Sequence, residues 1–306
     1  MEYDYDVLVI GAGSAGLSAA LTLGRCRRRV LVADGGAPRN APSLAVHGFF
    51  TRDGTLPTEL LHLGRAQLAP YPTVAVRALK ITQLTPAAGG FRAEGTTGQG
   101  HAWAGTARRV LLATGVEDRL PPLPGFREYW GTGVLHCPYC HGYEVREQPL
   151  AIYGRGHAVV GLALLLRNWS QQVAIVTDGA GHLTPHARRR LARHGIAVHE
   201  TQVARLVGGP DGLLRCVEFT DGTYHECKAL FLHAAQEQRS QLAAALGARH
   251  NGKGAVWIDK NMQTTVRGLH AAGDTTPGQQ QALLAAGQGN QAGICMNEAL
   301  TREESR

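Results

Sequence analysis

Lysine, aromatic side chains and long apolar runs are all scarce in this chain of 306 residues. Lysine occurs only at Lys80, Lys228, Lys253 and Lys260, so the formal net charge of +7 rests on arginine. Aromatic residues make up 6% of the chain, and none alternates with the tight basic runs Arg27-Arg28-Arg29 and Arg188-Arg189-Arg190. A nucleic-acid surface needs stacking platforms among its cations, so no nucleic-acid partner is expected. The first basic run closes an expected helix, where cations complement the helix dipole without any ligand. No apolar run approaches the ~18 residues that a membrane helix requires, which argues against a membrane partner. The opening residues, Met1-Glu2-Tyr3-Asp4-Tyr5-Asp6, are acidic and lead directly into a short apolar strand, unlike a signal peptide. The expected location is therefore cytoplasmic, where six cysteines should not form a structural disulfide framework.

What is abundant is glycine, with 39 residues, in a chain that is 44% hydrophobic and 18% charged. Those proportions suit a globular protein with two domains of ordinary size. The first domain opens with a strand, Val7 to Ile10, then Gly11-Ala12-Gly13-Ser14-Ala15-Gly16, a small-residue helix from Leu17 to Arg25, and a strand from Val30 that ends in Asp34. Strand, glycine turn, helix, strand and acid together form a dinucleotide fingerprint. Gly11 makes the tight turn, Gly13 lets backbone approach a pyrophosphate, and Gly16 brings helix and strand together. Asp34 is placed to accept hydrogen bonds from a ribose.

Further along, a helix is expected from Leu56 to Ala69, and a strand meander around Val74 to Leu84, Phe91 to Glu94 and His101 to Trp103. A buried strand, Arg109 to Ala113, ends in Thr114-Gly115, and the proline-rich stretch Leu120 to Gly125 reads as a connector. The opening pattern then returns: a strand over Leu150 to Tyr153, a glycine turn from Gly154 to Val159, a helix from Val160 to Trp169, and a strand from Val173 ending near Asp178. This repetition suggests a duplicated fold. Late features are strands at Val256 to Ile258 and Leu269 to Ala271, then Gly273-Asp274 and a helix over Gln280 to Leu300.

Cys137-Pro-Tyr-Cys140-His141 lies between the two patterns and satisfies three chemistries: haem attachment, half a zinc site, or a redox dithiol. Zinc would need a second knuckle, but Cys26, Cys216, Cys227 and Cys295 are isolated, so no metal is expected. Haem would normally follow export, which the opening residues argue against. A dithiol at a helix start fits the nucleotide-binding context, because the helix N-terminus favours the thiolate. His136 and His141 flank it with groups that titrate near neutrality.

In order along the chain, GAGSAG, the Ala113-Thr114-Gly115 turn, the Cys-x-x-Cys before a second glycine turn, Ala271-Ala272-Gly273-Asp274, and the closing Gln281-Ala282 resemble the low-molecular-weight thioredoxin reductase family. The resemblance implies an α/β fold of two Rossmann-like three-layer domains, the second inserted in the first. The FAD-binding domain would comprise 1–116 and 241–306, and an NAD(P)-binding-like domain carrying the dithiol would comprise 117–240. FAD would have its pyrophosphate held by Gly11, Gly13, Ser14, Ala15 and Gly16, and its adenosine ribose by Asp34 beside Gly35. Thr114, Gly115, Gly273 and Asp274 would also line its site, and Gln281 and Ala282 would lie by the flavin ring. Asn40 and His47 belong to a segment implied to run beneath that ring. Cys140 would face the flavin and Cys137 would exchange with substrate. A homodimer is implied as well.

The departures point to a particular branch. Thioredoxin reductases typically place an aspartate after the second cysteine as the acid-base group; this chain has His141. The CPYCHGYE form resembles a branch that includes dithiol oxidases of disulfide-containing natural products. At the second glycine turn, Val159 stands in the third position, and Thr177-Asp178-Gly179-Ala180 replaces the basic cluster that grips an NADPH phosphate. A carboxylate there would repel a 2′-phosphate, so the implied use of NADPH or NADH is in question, with Arg155 as a nearby compensating cation. The expectation is an FAD-dependent thiol-disulfide oxidoreductase acting on a thioredoxin-like protein or a small disulfide, with ferredoxin as a possible donor. The alternatives are a small-molecule dithiol oxidase that uses oxygen, and a flavin-binding redox sensor or carrier without turnover.

Overall fold

The computed structural model describes residues 3–306; Met1 and Glu2, part of the acidic opening, lie outside the described residues. In chain order, β1 (Tyr5–Ile10), α1 (Ser14–Arg25) and β2 (Val30–Asp34) are followed by α2 (Pro57–Ala66), β3 (Val74–Ala87), β4 (Gly90–Thr97), β5 (Ala102–Leu112) and β6 (Val116–Arg119). Then come β7 (Val134–Leu135), α3 (Pro138–His141), β8 (Leu150–Tyr153), α4 (His157–Leu166), β9 (Val173–Val176) and α5 (Pro185–Arg193). The strands β10 (Ala197–His199), β11 (Val203–Gly208), β12 (Leu214–Phe219), β13 (Tyr224–Glu226) and β14 (Ala229–Leu232) follow, and β15 (Ala235–Gln238), α6 (Leu242–Ala245), β16 (Leu269–Ala271) and α7 (Ala282–Glu304) close the chain.

The chain divides into two compact units, one of Met1–Ala41, Phe49–Glu117 and Gln236–Arg306, the other of Pro42–Gly48 and Asp118–Ala235. The expected sections differ from these units at 42–48, at 117 and at 236–240. Pro42–Gly48 groups with the second unit because its side chains bond there: Ser43 Oγ lies 2.9 Å from His141 Nε2, and His47 Nε2 lies 3.4 Å from Glu144 Oε1.

In the first unit, β1 pairs in parallel with β2 and β5, β2 with β3, and β5 with β16. All five parallel strands therefore end at one edge. β3 and β5 are longer than a sheet of this depth needs, and each changes partner along its length. Val74 to Ala78 pairs with β2, while Leu79 to Ala87 runs antiparallel to β4. Likewise Ala102 to Ala107 pairs with β4, and Ala107 to Leu112 with β1. One expected meander strand and the buried strand are thus a single element. One face of the sheet buries Val7, Val9 and Leu111 against Ala19, Leu23, Ala292 and Met296 of α1 and α7. The other face buries Leu8, Leu31, Val110 and Leu112 against Leu84 and Phe91 of the antiparallel layer. Alternation of side chains along each strand makes both faces apolar, which is why these strands read as continuous hydrophobic runs.

The second unit repeats the plan on a smaller scale. Its parallel sheet has the order β10-β9-β8-β14-β7, and an antiparallel sheet β11-β12-β13 covers one face. Leu150, Ile152 and Phe231 pack against Val160, Ala163 and Leu191 of α4 and α5, while Ala151, Val176 and Leu230 pack against Leu206, Val217 and Phe219. The expected duplication is present, layer for layer. Two local expectations differ. Val256 to Ile258 is no strand, because Val256 N–H donates to Thr275 carbonyl and Trp257 N–H to Arg249 carbonyl, leaving only an isolated bridge. Arg28, assigned above to the dipole of α1, instead reaches Glu304 at 2.7 Å and Asn297 at 2.8 Å on α7.

Candidate functional site

The parallel strands of the first unit deliver most of the expected cofactor residues to one edge. Gly11 to Gly16 follow β1, Asp34 ends β2, Thr114 and Gly115 follow β5, and Gly273 and Asp274 follow β16. Ligands of open α/β sheets bind at this carboxyl edge. Gly11 has φ +109°, and a Cβ on Gly16 would collide with the Gly11 carbonyl, so neither position admits a side chain without a shift of backbone. Above Gly13 nothing lies within 4 Å, which leaves room for a ligand to meet the backbone. Gly13 caps α1 without a side-chain hydrogen bond, so the first N–H groups of the helix face that space unpaired by a cap. Asp34 is held by the Gly36 N–H at 2.9 Å and by Arg65 at 2.5 Å, with Gly35 exposed beside it.

Around Gly273 the loop is held from α7. Gln288 Oε1 accepts from the Gly273 N–H at 2.7 Å and from Thr276 Oγ1 at 3.1 Å. Arg39 pairs with Asp274 at 2.9 Å and donates to Gln280 Oε1 at 2.8 Å. Gln281 is the N-cap of α7, and Ala282 is its first residue. Asn40 lies exposed in the loop after β2, whereas His47 groups with the second unit rather than with this edge. Arg39, Arg65 and Gln288 were not singled out as site residues in the sequence. Their partners lie more than thirty positions away or, for Gln288, in a loop whose path no local pattern sets.

In the second unit, Cys137 and Cys140 form a disulfide across the first turn of α3. Cys137 is the N-cap, Pro138 supplies the pre-set φ of the first helical position, and the Cys137 carbonyl accepts from the N–H groups of Cys140 and His141. Gly142 ends the turn where a side chain would strike the Pro138 carbonyl and the Trp169 ring. His141 is half-buried and lies at an edge-on 6.5 Å from the His47 ring. Burial pushes its pKa down, His47 adds to that, and Glu144 and the Cys137 carbonyl oppose it. His136 packs against Trp130 instead, with ring centroids 5.8 Å apart. An open cleft beside α3 is lined by Leu44, His47, Thr132, Leu135, His141 and Glu144.

The second glycine turn has been rebuilt. Gly156 caps α4 without a side-chain bond, as Gly13 caps α1. Arg155, however, folds across the end of β9, donating through Nε to the Thr177 carbonyl at 2.7 Å and through Nη2 to the Asp178 carbonyl. Asp178, at φ +52°, turns its carboxylate to Tyr153 Oη at 2.9 Å and to the Val203 N–H at 2.9 Å, with Arg155 at 3.7 Å. Tyr153 is consequently pushed up to about 12, by burial first and Asp178 second. No group of three or more metal-ligating side chains exists among the described residues.

Residues 5–289 match the family described as pyridine nucleotide-disulphide oxidoreductase. The chain belongs to that family. A thioredoxin reductase of Claviceps purpurea is 32% identical over 283 residues, covering 88% of this chain and 86% of its own. The crystal structure of HlmI superposes with a TM-score of 0.91 at 39% identity over 98% of this chain and 94% of that one. An oxidoreductase from Agrobacterium tumefaciens superposes at 0.89, with 32% identity over 98% and 99% of the two chains.

This pyridine nucleotide-disulphide oxidoreductase is therefore a flavin-dependent enzyme of thioredoxin-reductase type that handles thiols and disulfides. FAD fits the first unit: an uncapped helix start, open space over Gly13 and a strand-end carboxylate match a pyrophosphate and a ribose. A pyridine nucleotide, which the family name carries, fits the second turn less well. The uncapped helix start is retained, but the strand-end carboxylate is turned away to Tyr153 and Val203. No helix among the described residues is long and apolar enough to cross a membrane.

Proposed function

We propose that the first unit holds FAD through Gly11, Gly13, Ser14, Ala15, Gly16, Asp34, Gly35, Thr114, Gly115, Gly273, Asp274, Gln281 and Ala282. In this reading the second unit exchanges disulfides through Cys137 with a thioredoxin-like protein or a small disulfide. The observation that carries the reading is the Cys137–Cys140 disulfide at the start of α3, with His141 in the same turn. Bound FAD supplies a two-electron acceptor or donor. A substrate thiolate attacks the Cys137 sulfur; the Cys137–Cys140 bond breaks, a bond from substrate to Cys137 forms, and Cys140 leaves as thiolate. A second substrate thiolate then displaces Cys137, leaving oxidised substrate and a reduced enzyme dithiol. Reduction of a substrate disulfide is the reverse sequence. His141 takes the proton in one direction and returns it in the other. Asn40 and His47 are assigned supporting places on the segment Gly36 to His47. The same reading includes a homodimer working in a reducing cytoplasm.

A second reading is favoured by one observation. The Arg155–Asp178 arrangement commits Arg155 to the backbone at the end of β9 in place of a phosphate, which suits an enzyme that draws electrons from a small dithiol and passes them to oxygen, or one fed by ferredoxin. Anaerobic addition of NADPH, NADH and dithiothreitol to separate samples tests both. Bleaching of the flavin by dithiothreitol and its loss in Cys140→Ser support the dithiol route. Bleaching by NADPH favours the reductase, and oxygen uptake on addition of dithiol favours the oxidase. If dithiothreitol bleaches wild type and Cys140→Ser equally, the dithiol route is wrong, and the chain is a flavin carrier or sensor instead.

A further inference from the structure

Ser43 makes two short polar contacts that together dictate a proton position. Its hydroxyl lies 2.8 Å from the Ala45 carbonyl and 2.9 Å from His141 Nε2. A carbonyl can only accept, so the single hydroxyl hydrogen is committed to Ala45. The hydroxyl oxygen must then accept from His141, which places a hydrogen on Nε2. In the neutral ring the other nitrogen, Nδ1, then carries no hydrogen and is buried with no hydrogen-bond partner, whereas the Cys137 carbonyl favours the protonated ring. A buried acceptor without a donor is costly, by about 1–3 kcal/mol, and such sites call for a functional explanation. His141 adjoins Cys140 on α3, and exchange at the Cys137–Cys140 bond brings in a substrate S–H donor that the resting state lacks.

We propose that Ser43 is a positioning residue that fixes His141 as its Nε2–H tautomer, so that Nδ1 is the atom that takes and returns the exchange proton. This rests on the reading above that His141 handles that proton. The serine is itself well placed to do so. It follows Pro42, which lies against Gly131, and it precedes buried Val46, so its segment is anchored on both sides. The charged and titratable groups facing the ring are Glu144 from the turn after α3 and His47 from Ser43's own segment, with the Cys137 carbonyl from α3 itself. When a substrate thiol attacks Cys137, its proton passes to Nδ1, and the imidazolium so formed stays beside the departing Cys140 thiolate. The Ser43 hydroxyl continues to accept from Nε2 in both states, so the ring does not have to turn over during the cycle.

The test uses the FAD-loaded protein. Long-range proton–nitrogen spectra of histidine-labelled protein, with His141 assigned by comparison with His141→Gln, read the tautomer directly. Wild type should show a protonated Nε2 and a bare Nδ1. Ser43→Ala should show a mixture of tautomers and should slow flavin reduction by dithiothreitol about tenfold, with an altered pH profile, while Ser43→Thr should restore both. A wild-type ring protonated on Nδ1, or a Ser43→Ala variant with unchanged tautomer and rate beside a slow His141→Gln, overturns the role of Ser43 alone. His141→Gln reacting at the wild-type rate at every pH overturns the proton role of His141 and, with it, that of Ser43.

Discussion

Acid should loosen β16, the strand that leads into Gly273 and Asp274, and the group responsible is His270. This side chain lies on β16 opposite Leu111 of β5, is 2% exposed, and has no hydrogen-bond partner on either ring nitrogen. Burial, and after it the charge of Arg109, pulls its pKa from 6.5 to about 4. The unfolded ring takes up its proton near pH 6.5, whereas the folded ring resists until about pH 4. Acid therefore favours the unfolded state: the stabilising contribution is complete above pH 6.5 and disappears as pH falls through about 4. Each pH unit in that window is worth about 1.4 kcal/mol, so the whole of it amounts to roughly 3 kcal/mol, of which about 2 is lost between pH 7 and pH 5. Urea titrations of the FAD-loaded protein at those two pH values, followed by far-UV dichroism and by fluorescence of released flavin, measure the loss. His270→Leu keeps the volume and removes the titration, so its stability should fall by about 2 kcal/mol less than wild type over the same interval. Equal losses in the two proteins would refute the assignment.

Other expectations concern the crossing of α7 with α1, the second glycine turn and the thiols. Gly289→Ala should destabilise the first unit and weaken flavin retention, because the new Cβ would collide with the Ala15 carbonyl where α7 crosses α1; calorimetry and the ratio of flavin to protein absorbance test this. Asp178→Ala should cost about 2–3 kcal/mol by stranding the Val203 N–H and the Tyr153 hydroxyl, and it should also lower the pH at which Tyr153 ionises, read by ultraviolet difference titration. Cys227, 2% exposed and pushed up to about 12, should resist thiol reagents in the native state, while exposed Cys26 should react; mass spectrometry after brief alkylation distinguishes them.

The readable parts of this chain were those whose physics is local. A glycine turn after an apolar strand, an acid at the end of the next strand, and two cysteines at a proline-started turn each depend on residues within reach of one another. The partner switches of β3 and β5 were not readable, because alternation along a strand is the same whichever neighbour it pairs with. Val256 to Ile258 looked like a strand for the opposite reason: its apolar pattern is real, but its backbone bonds go to Thr275 and Arg249 in loops.

The sequence alone thus determined the duplicated α/β plan, the dithiol and the changed residues at the second turn, since each is written in short-range spacing. Only the tertiary structure decided where the polar groups of those motifs point. Asp34 ends β2 and Asp178 lies two residues beyond β9, yet the first bonds Gly36 and Arg65 and the second bonds Tyr153 and Val203. His141 was legible as a titrating neighbour of Cys140, but its 2.9 Å contact with the Ser43 hydroxyl, 98 positions away, was not. Hydrogen-bond direction is set by which donors and acceptors folding brings within 3 Å, and no local pattern carries that information.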